Sequence, residues 1–159
     1  MTATRVFIHG LESTSQGTKG VYFRERYPDM IINDYTGSLD ERLVKLAADL
    51  TGKDDLILVG SSYGGLMAAI YACRHPDRIR RLILLAPAIN LEEFTPFAGR
   101  ELAVPVHLYH GRRDDVVPPE AVRDVAARTF PRLTYRLVDD DHSLHETFPL
   151  MPWPELLGE

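Results

Sequence analysis

Residues 60–64 have the spacing G-x-S-x-G around Ser62, a pattern that can present a serine as a nucleophile. The glycines on either side let neighbouring backbone approach while the serine holds a strained conformation with its hydroxyl exposed. Ser61 lacks this spacing, because the residue two before it is Val59. In isolation such a run is more often a plain turn. Its position, between an apolar run and a helix-like segment, favours a nucleophile.

An acid and a histidine that could activate Ser62 follow it along the chain. Asp114 and Asp115 come shortly after the apolar run 106–109, and His142 follows the next strand-like run. A serine hydroxyl is a poor nucleophile at neutral pH unless a base accepts its proton, and imidazole suits that role. A carboxylate on the other ring nitrogen holds the tautomer and stabilises the imidazolium. This order of residues indicates nucleophilic attack on a carbonyl carbon.

The elements that precede these residues must bring them together. Apolar strand-like runs alternate with helix-like segments along the whole chain, which is typical of βαβ units around a parallel sheet. Several runs are almost wholly apolar, as expected for strands covered by helices on both faces. Because functional loops leave the carboxyl ends of such strands, the serine, acid and histidine should meet at one edge. Strands are predicted over 5–8, 30–32, 56–59, 82–85, 106–109 and 134–138.

Helices are predicted from apolar spacing and from breakers. The leucines at positions 39, 43, 46 and 50 form a stripe on one helix face, with Ser38 available as a cap. A further helix is predicted over 63–74, and another from 118–119 to about 128 with proline in its first turn. We also expect a helix start capped by Thr18.

The elbow, the chain order, the H-G-x-x-D-x-x-V-P run at 110–118 and the D-H-S run at 141–143 together resemble the α/β-hydrolase family. The resemblance covers nearly the whole chain and is closest to small bacterial esterases and acyl hydrolases of the YqiA-like group. It implies a minimal α/β-hydrolase fold with a central, mostly parallel sheet of about six strands. It also implies helices on both faces and no large cap domain.

The resemblance assigns roles by matching positions. Ser62 becomes the nucleophile, Asp114 the acid and His142 the base, with Asp115 as the alternative acid. The acidic run 139–141 is expected to be a solvated loop that favours the imidazolium of the adjacent histidine and disfavours anionic substrates.

Two backbone amides are predicted to form an oxyanion hole. A helix that begins at Tyr63 directs unpaired N–H groups toward developing negative charge, so the Tyr63 amide is one candidate donor. Matching the family's H-G-x run after the first strand makes the amide of Leu11 the second donor. The chain departs here from the longer HGGG form, because Leu11 and Glu12 follow Gly10.

The substrate pocket is expected to be open and modest. Only residues 90–102 separate two strand candidates, so no large cap fits there. Phe94 and Phe97 are the predicted substrate contacts, although they could instead simply cover the sheet. The apolar residues considered for this wall are Leu91, Phe94, Phe97, Phe148 and Trp153.

A serine hydrolase acting on small to medium carboxylic esters through an acyl-enzyme is the leading hypothesis. A thioesterase or amidase would use the same triad, since the fold and triad cannot separate these reactions. A non-catalytic member that binds a ligand or protein is the hypothesis of a different class. The histidines form no H-E-x-x-H set and the glycines no phosphate loop, so neither a metal nor a cofactor is expected. Loop or packing roles are expected for the other histidines, His9, His75, His107, His110 and His145.

Composition favours one ordinary globular domain over residues 1–159, with 45% hydrophobic and 26% charged residues. The net charge of -5, without a basic patch, argues against nucleic acid as a partner. Cys73 is the only cysteine, which excludes an internal disulfide and suits the cytoplasm. No apolar run approaches the ~20 residues of a membrane span. The expected partner is a small ester substrate, and the oligomeric state stays open.

Overall fold

The computed structural model describes residues 3–158. Strands occupy β1 (Thr4–Ile8), β2 (Ile31–Ile32), β3 (Leu56–Ser61), β4 (Ile79–Leu85), β5 (Val106–Gly111) and β6 (Leu133–Val138). Within the described range, these six strands form one parallel sheet in the order β2-β1-β3-β4-β5-β6. Each strand overlaps the run predicted for it, so the predicted fold class is confirmed.

Helices connect the strands as the alternation predicted. They are α1 (Thr18–Arg26), α2 (Leu39–Asp49), α3 (Tyr63–Arg74), α4 (Pro119–Thr129) and α5 (Trp153–Leu156). Short 3-10 turns span Pro76–Arg78, Glu92–Phe94 and Phe148–Leu150. The stretch between β4 and β5 holds only one such turn, which agrees with the expected lack of a large cap.

The helix starts show where local sequence rules hold. Ser38 caps α2 through a capping box, accepting from the Glu41 amide at 3.1 Å while the Glu41 side chain accepts from the Ser38 amide. The expected Thr18 cap is wrong, because Thr18 is already the first residue of α1. Gly17 occupies the cap position and makes no side-chain cap bond.

Apolar layers cover the two faces of the sheet. On one face α2, α3 and α4 pack in a cluster with strand residues such as Val6, Leu58, Leu84 and Leu108. On the other face α1, α5 and the 3-10 turn at Phe148 pack with strand residues such as Phe7, Val59, Ile83 and Tyr109. Because α/β sheets bury both faces, β3 and the second half of β4 are nearly continuous apolar runs.

The strand register sets where the connecting loops leave. Ile8 aligns with Gly60 and Ser61 aligns with Leu85, so β1, β3 and β4 end at the same edge. Tyr109 of β5 in turn aligns with Leu85. The loops after β1, β3, β5 and β6 therefore share one side of the sheet, which is where parallel α/β folds place their sites. Among residues 3–158, no helix is long and apolar enough to cross a membrane.

Candidate active site

Ser62 occupies a strained turn between β3 and α3. Its backbone angles are φ 56° and ψ -114°, which non-glycine residues rarely adopt. The turn is anchored from both sides, because the Ser62 amide donates to the Leu85 carbonyl at 2.9 Å and its carbonyl accepts from the Ala88 amide at 2.9 Å. A Cβ on Gly60 would come within 2.7 Å of the Gly65 Cα. Close backbone packing therefore requires glycine at position 60.

His142 links the serine to a carboxylate. Its Nε2 lies 3.1 Å from the Ser62 Oγ, and its Nδ1 lies 2.7 Å from Oδ2 of Asp114. Ser62 follows β3, Asp114 follows β5 and His142 follows β6. These are the strand ends at which the sequence predicted them. The structure thus brings together Ser62, His142 and Asp114. Asp115 is exposed to solvent and does not share this chain of contacts.

The Asp114 carboxylate is buried and hydrogen-bonded at both oxygens. Its Oδ1 accepts from the amides of Val116 and Val117, each at 2.8 Å, and its Oδ2 accepts from His142. Burial raises the pKa of Asp114, but the hydrogen bonds from His142 and the two amides outweigh it. The pKa therefore lies below its usual value. Asp114 is set to stay ionised beside His142.

The two residues predicted to supply the oxyanion donors line the same cavity as Ser62. Tyr63 is the first residue of α3, and Leu11 lies in the loop after β1. Neither amide has a hydrogen-bond acceptor among residues 3–158. A Cβ on Gly10 would lie 3.5 Å from the Ser62 Cβ, which shows how closely this loop approaches the serine. Both N–H groups are therefore free to donate to a ligand oxygen.

His9 holds the loop that carries the Leu11 amide. The Tyr35 amide donates to His9 Nε2 at 2.9 Å, so the ring proton is on Nδ1, which donates to the Gly10 carbonyl at 2.7 Å. Sequence reasoning assigned His9 only a loop or packing role. The H-G pair after the first strand was the sequence feature that could have indicated this role for His9. The bond to Tyr35 could not be predicted, because Tyr35 lies far from His9 in the chain.

The loop that carries His142 is held by a second buried carboxylate. Oδ1 of Asp140 accepts from the Asp141 amide at 2.8 Å, and its Oδ2 accepts from the amides of Glu146 and Thr147 at 3.1 and 2.8 Å. Burial raises the pKa of Asp140, but the bonds from Thr147 and Asp141 outweigh it and leave the pKa lowered. The expectation of a wholly solvated acidic run is wrong, because Asp140 turns inward.

Lys19 of α1 ties its helix to the same loop. Its Nζ donates to the Ser143 carbonyl at 2.6 Å and lies 5.4 Å from the centre of the Phe148 ring. Burial lowers the pKa of Lys19, while the nearby charges of Asp141 and Asp140 act in the opposite direction. Helix α1 is therefore coupled directly to the residue after His142.

A cavity of about 760 Å³ opens over Ser62 and His142. Its apolar wall includes Tyr22, Leu91 and Phe148. Leu91 and Phe148 were among the apolar residues considered from the sequence. In the described part of the chain, no group of three or more histidine, cysteine or acidic side chains is arranged to hold a metal ion.

The predicted substrate contacts Phe94 and Phe97 do not lie on this wall. Phe94 is fully buried and Phe97 is 8% exposed, and both pack in the apolar cluster beneath α3. The 3-10 turn that ends at Phe94 directs these rings into the core. Trp153 is likewise buried, in the cluster on the opposite face, where its Nε1 donates to the Phe148 carbonyl at 2.8 Å.

A comparison with known protein families identifies the family of this chain. A family model described as alpha/beta hydrolase fold matches residues 10–103, more than half of the chain, and the chain belongs to this family. Membership of the YqiA-like group stays a prediction.

Two curated relatives match in part. The PhaC subunit of a poly(3-hydroxyalkanoate) polymerase from Allochromatium vinosum is 29% identical over 94 residues, covering 55% of this chain and 26% of that protein. A 2-hydroxy-6-oxo-6-phenylhexa-2,4-dienoate hydrolase from Comamonas testosteroni is 28% identical over 81 residues, covering 50% of this chain and 28% of that protein. The matched part spans only about a quarter of either relative's length.

Solved structures share the fold. Alpha/beta hydrolase domain-containing protein 10 from mouse superposes with a TM-score of 0.79 at 20% identity, covering 92% of this chain and 84% of that one. Est1E from Butyrivibrio proteoclasticus gives a TM-score of 0.76 at 19% identity, covering 94% and 83%. At these identities the likeness concerns the fold alone.

Proposed function

We propose that this protein is a serine hydrolase that cleaves small to medium carboxylic esters through an acyl-enzyme. The observation that carries the proposal is the continuous chain from Ser62 through His142 to Asp114, with contacts of 3.1 and 2.7 Å. A base in hydrogen-bond reach of a nucleophile, itself oriented by a third group, is the arrangement that activates a serine.

Attack on the ester would proceed in balanced steps. The Ser62 Oγ bonds to the carbonyl carbon while His142 Nε2 takes the hydroxyl proton. The amides of Leu11 and Tyr63 would bind the oxyanion, each contributing about 10²–10³ in rate. Collapse breaks the carbon–oxygen bond, and His142 returns its proton to the leaving alcohol. A water molecule then attacks the acyl-enzyme with His142 as base, releasing the acid and restoring Ser62.

The cavity supports a substrate of limited size. A volume of about 760 Å³ lies within the roughly 300–1,000 Å³ typical of small-molecule sites. Its wall at Leu91 and Phe148 is apolar and suits an acyl chain. Within residues 3–158, no large insertion closes over it. One similar protein is named a dienoate hydrolase, which supports hydrolysis as the class of reaction.

Labelling with a fluorophosphonate probe tests the nucleophile. The wild type should be labelled and should hydrolyse p-nitrophenyl esters, whereas Ser62→Ala should lose both activities. Ser61→Ala is the matched control, because among the described residues the hydrogen bond of His142 Nε2 goes to Ser62 and not to Ser61. This variant should keep labelling. Labelling and turnover that survive in Ser62→Ala would contradict the proposal. An unlabelled, inactive wild type would favour a binding protein instead.

A further inference from the structure

A second histidine shares the Asp114 carboxylate with His142. His110, near the end of β5, is 0% exposed, and its Nε2 lies 3.0 Å from Asp114 Oδ2 and 3.0 Å from the Val117 carbonyl oxygen. Sequence reasoning placed His110 in a turn with a loop or packing role. The structure instead places its ring against the same oxygen that contacts His142.

The surroundings determine the protonation of the His110 ring. A carbonyl oxygen can only accept, so the contact with Val117 requires the proton on Nε2. The Nδ1 atom is buried and has no hydrogen-bond partner among the described residues. Burial lowers the pKa of His110, opposed mainly by the Val117 carbonyl and Asp114, while His142 lowers it further. His110 is thus a neutral donor, because protonating Nδ1 would bury an unpaired N–H.

This donor completes the pairing of Asp114. Two amides already occupy Oδ1, and His142 and His110 both approach Oδ2. A carboxylate that accepts several hydrogen bonds holds its charge more firmly and releases a bound proton more readily. It also cannot rotate without breaking several bonds at once.

We propose that His110 is a positioning residue that holds Asp114 Oδ2 toward His142 and keeps Asp114 ionised while His142 carries the proton taken from Ser62. The role of His110 in catalysis rests on the proposed hydrolase function. The contact between His110 and Asp114 does not depend on that function, so experiments can refute the contact and the function independently.

Nitrogen-15 NMR of the wild-type histidines tests the geometry without any substrate. We expect His110 in the Nε2–H form, with shifts that do not change between about pH 8 and about pH 5, where an unperturbed histidine titrates. An Nδ1–H tautomer, or titration of His110 in this interval, would overturn the proposal. This measurement needs no variant and therefore stands even if a substitution prevents folding.

Two variants then test the role in catalysis. His110→Gln keeps an N–H donor at a similar reach, whereas His110→Leu removes it and keeps an apolar filler. Losing one hydrogen bond to a charged group should lower kcat about 10-fold to 100-fold in His110→Leu, with KM nearly unchanged. The acid limb of the kcat/KM profile should also move to higher pH, because Asp114 with fewer donors protonates more readily together with His142.

The conservative variant separates positioning from packing. His110→Gln should recover much of kcat and return the acid limb toward its wild-type position. Equal losses in both variants with an unmoved acid limb would show that His110 only fills space, and would overturn the proposal. A wild type that hydrolyses no ester and takes no fluorophosphonate would instead refute the proposed function, while the NMR result would still decide the geometry.

Discussion

Gly64, the second residue of α3, lies directly against the carbonyl oxygen of Ile8 at the end of β1, so closely that a Cβ on Gly64 would overlap it. Helix α3 is thereby seated on the strand whose following loop supplies the Leu11 amide. The start of α3 supplies the Tyr63 amide. The same close contact thus sets the spacing between the two candidate oxyanion donors.

Gly64→Ala should therefore destabilise the protein. The added methyl group would meet backbone atoms of Ile8 and His9, which cannot move aside as a flexible side chain can. Overpacking of this kind costs about 1–3 kcal/mol or more in the free energy of unfolding, measured by urea denaturation. Gly10→Ala is the control, because its Cβ would lie 3.4 Å from the Ser61 carbonyl oxygen, an ordinary contact. Equal stability of the two variants would contradict the predicted overlap.

Asp114→Asn should lower kcat by about 10³–10⁴ with little change in KM. An amide group facing His142 would favour the wrong tautomer and could not stabilise the imidazolium. Steady-state kinetics on a p-nitrophenyl ester measures the loss, with circular dichroism to check folding. The exposed neighbour offers a matched control, and Asp115→Asn should behave as wild type. Comparable losses in both variants would speak against Asp114 as the acid.

Leu91→Phe should narrow the cavity and shift the preference toward short acyl chains. We expect kcat/KM for the longest accepted ester to fall about 10-fold relative to the acetyl ester. Phe94→Leu should leave this preference unchanged, because Phe94 is buried in the core and lies off the cavity wall. It should instead lower the free energy of unfolding by about 1 kcal/mol. A chain-length shift in Phe94→Leu alone would reverse the assignment of the wall.

Asp140→Asn should destabilise the protein by about 2 kcal/mol near neutral pH, because the amide nitrogen cannot accept from the backbone amides that Asp140 pairs. The pKa of Asp140 is lowered in the folded state. Its contribution is therefore complete above the unfolded pKa of about 3.9 and is lost as pH falls through the folded value.

Urea denaturation from about pH 7 to about pH 3 follows this difference. The gap between wild type and Asp140→Asn should be constant down to about pH 5 and should shrink below about pH 4. Asp139→Asn is the control from the same acidic run, since Asp139 is exposed and its one ion pair among the described residues is with the exposed Arg113. A gap that stays constant to the lowest pH would contradict the role of the Asp140 charge.

The parts of the fold that follow from local chemistry were predictable. Apolar runs, leucine spacing and breakers located every strand and the helices α2, α3 and α4 to within a few residues. The G-x-S-x-G run placed Ser62 at a strand-to-helix turn, and its positive φ of 56° agrees with the strain expected there. These features depend on residues close together in the chain.

The positions of Phe94 and Phe97 could not be obtained in this way. Their segment has no strong period, and whether a ring faces a cavity or the core depends on how the neighbouring helix and strands pack. The burial of the Asp140 side chain could not be predicted either. The amides that pair with it, those of Glu146 and Thr147, belong to an irregular loop.

By itself, the sequence determined the element order, the elbow at Ser62 and the order of the acid and histidine, because periodicity and turn chemistry act over short distances. Only the tertiary structure decided that Asp114 Oδ2 is shared by His142 and His110. It alone also placed Leu91 and Phe148 on the cavity wall and Phe94 in the core. These relationships join different loops and depend on side-chain directions and buried polar pairing, which are settled only when the whole sheet and its layers have packed.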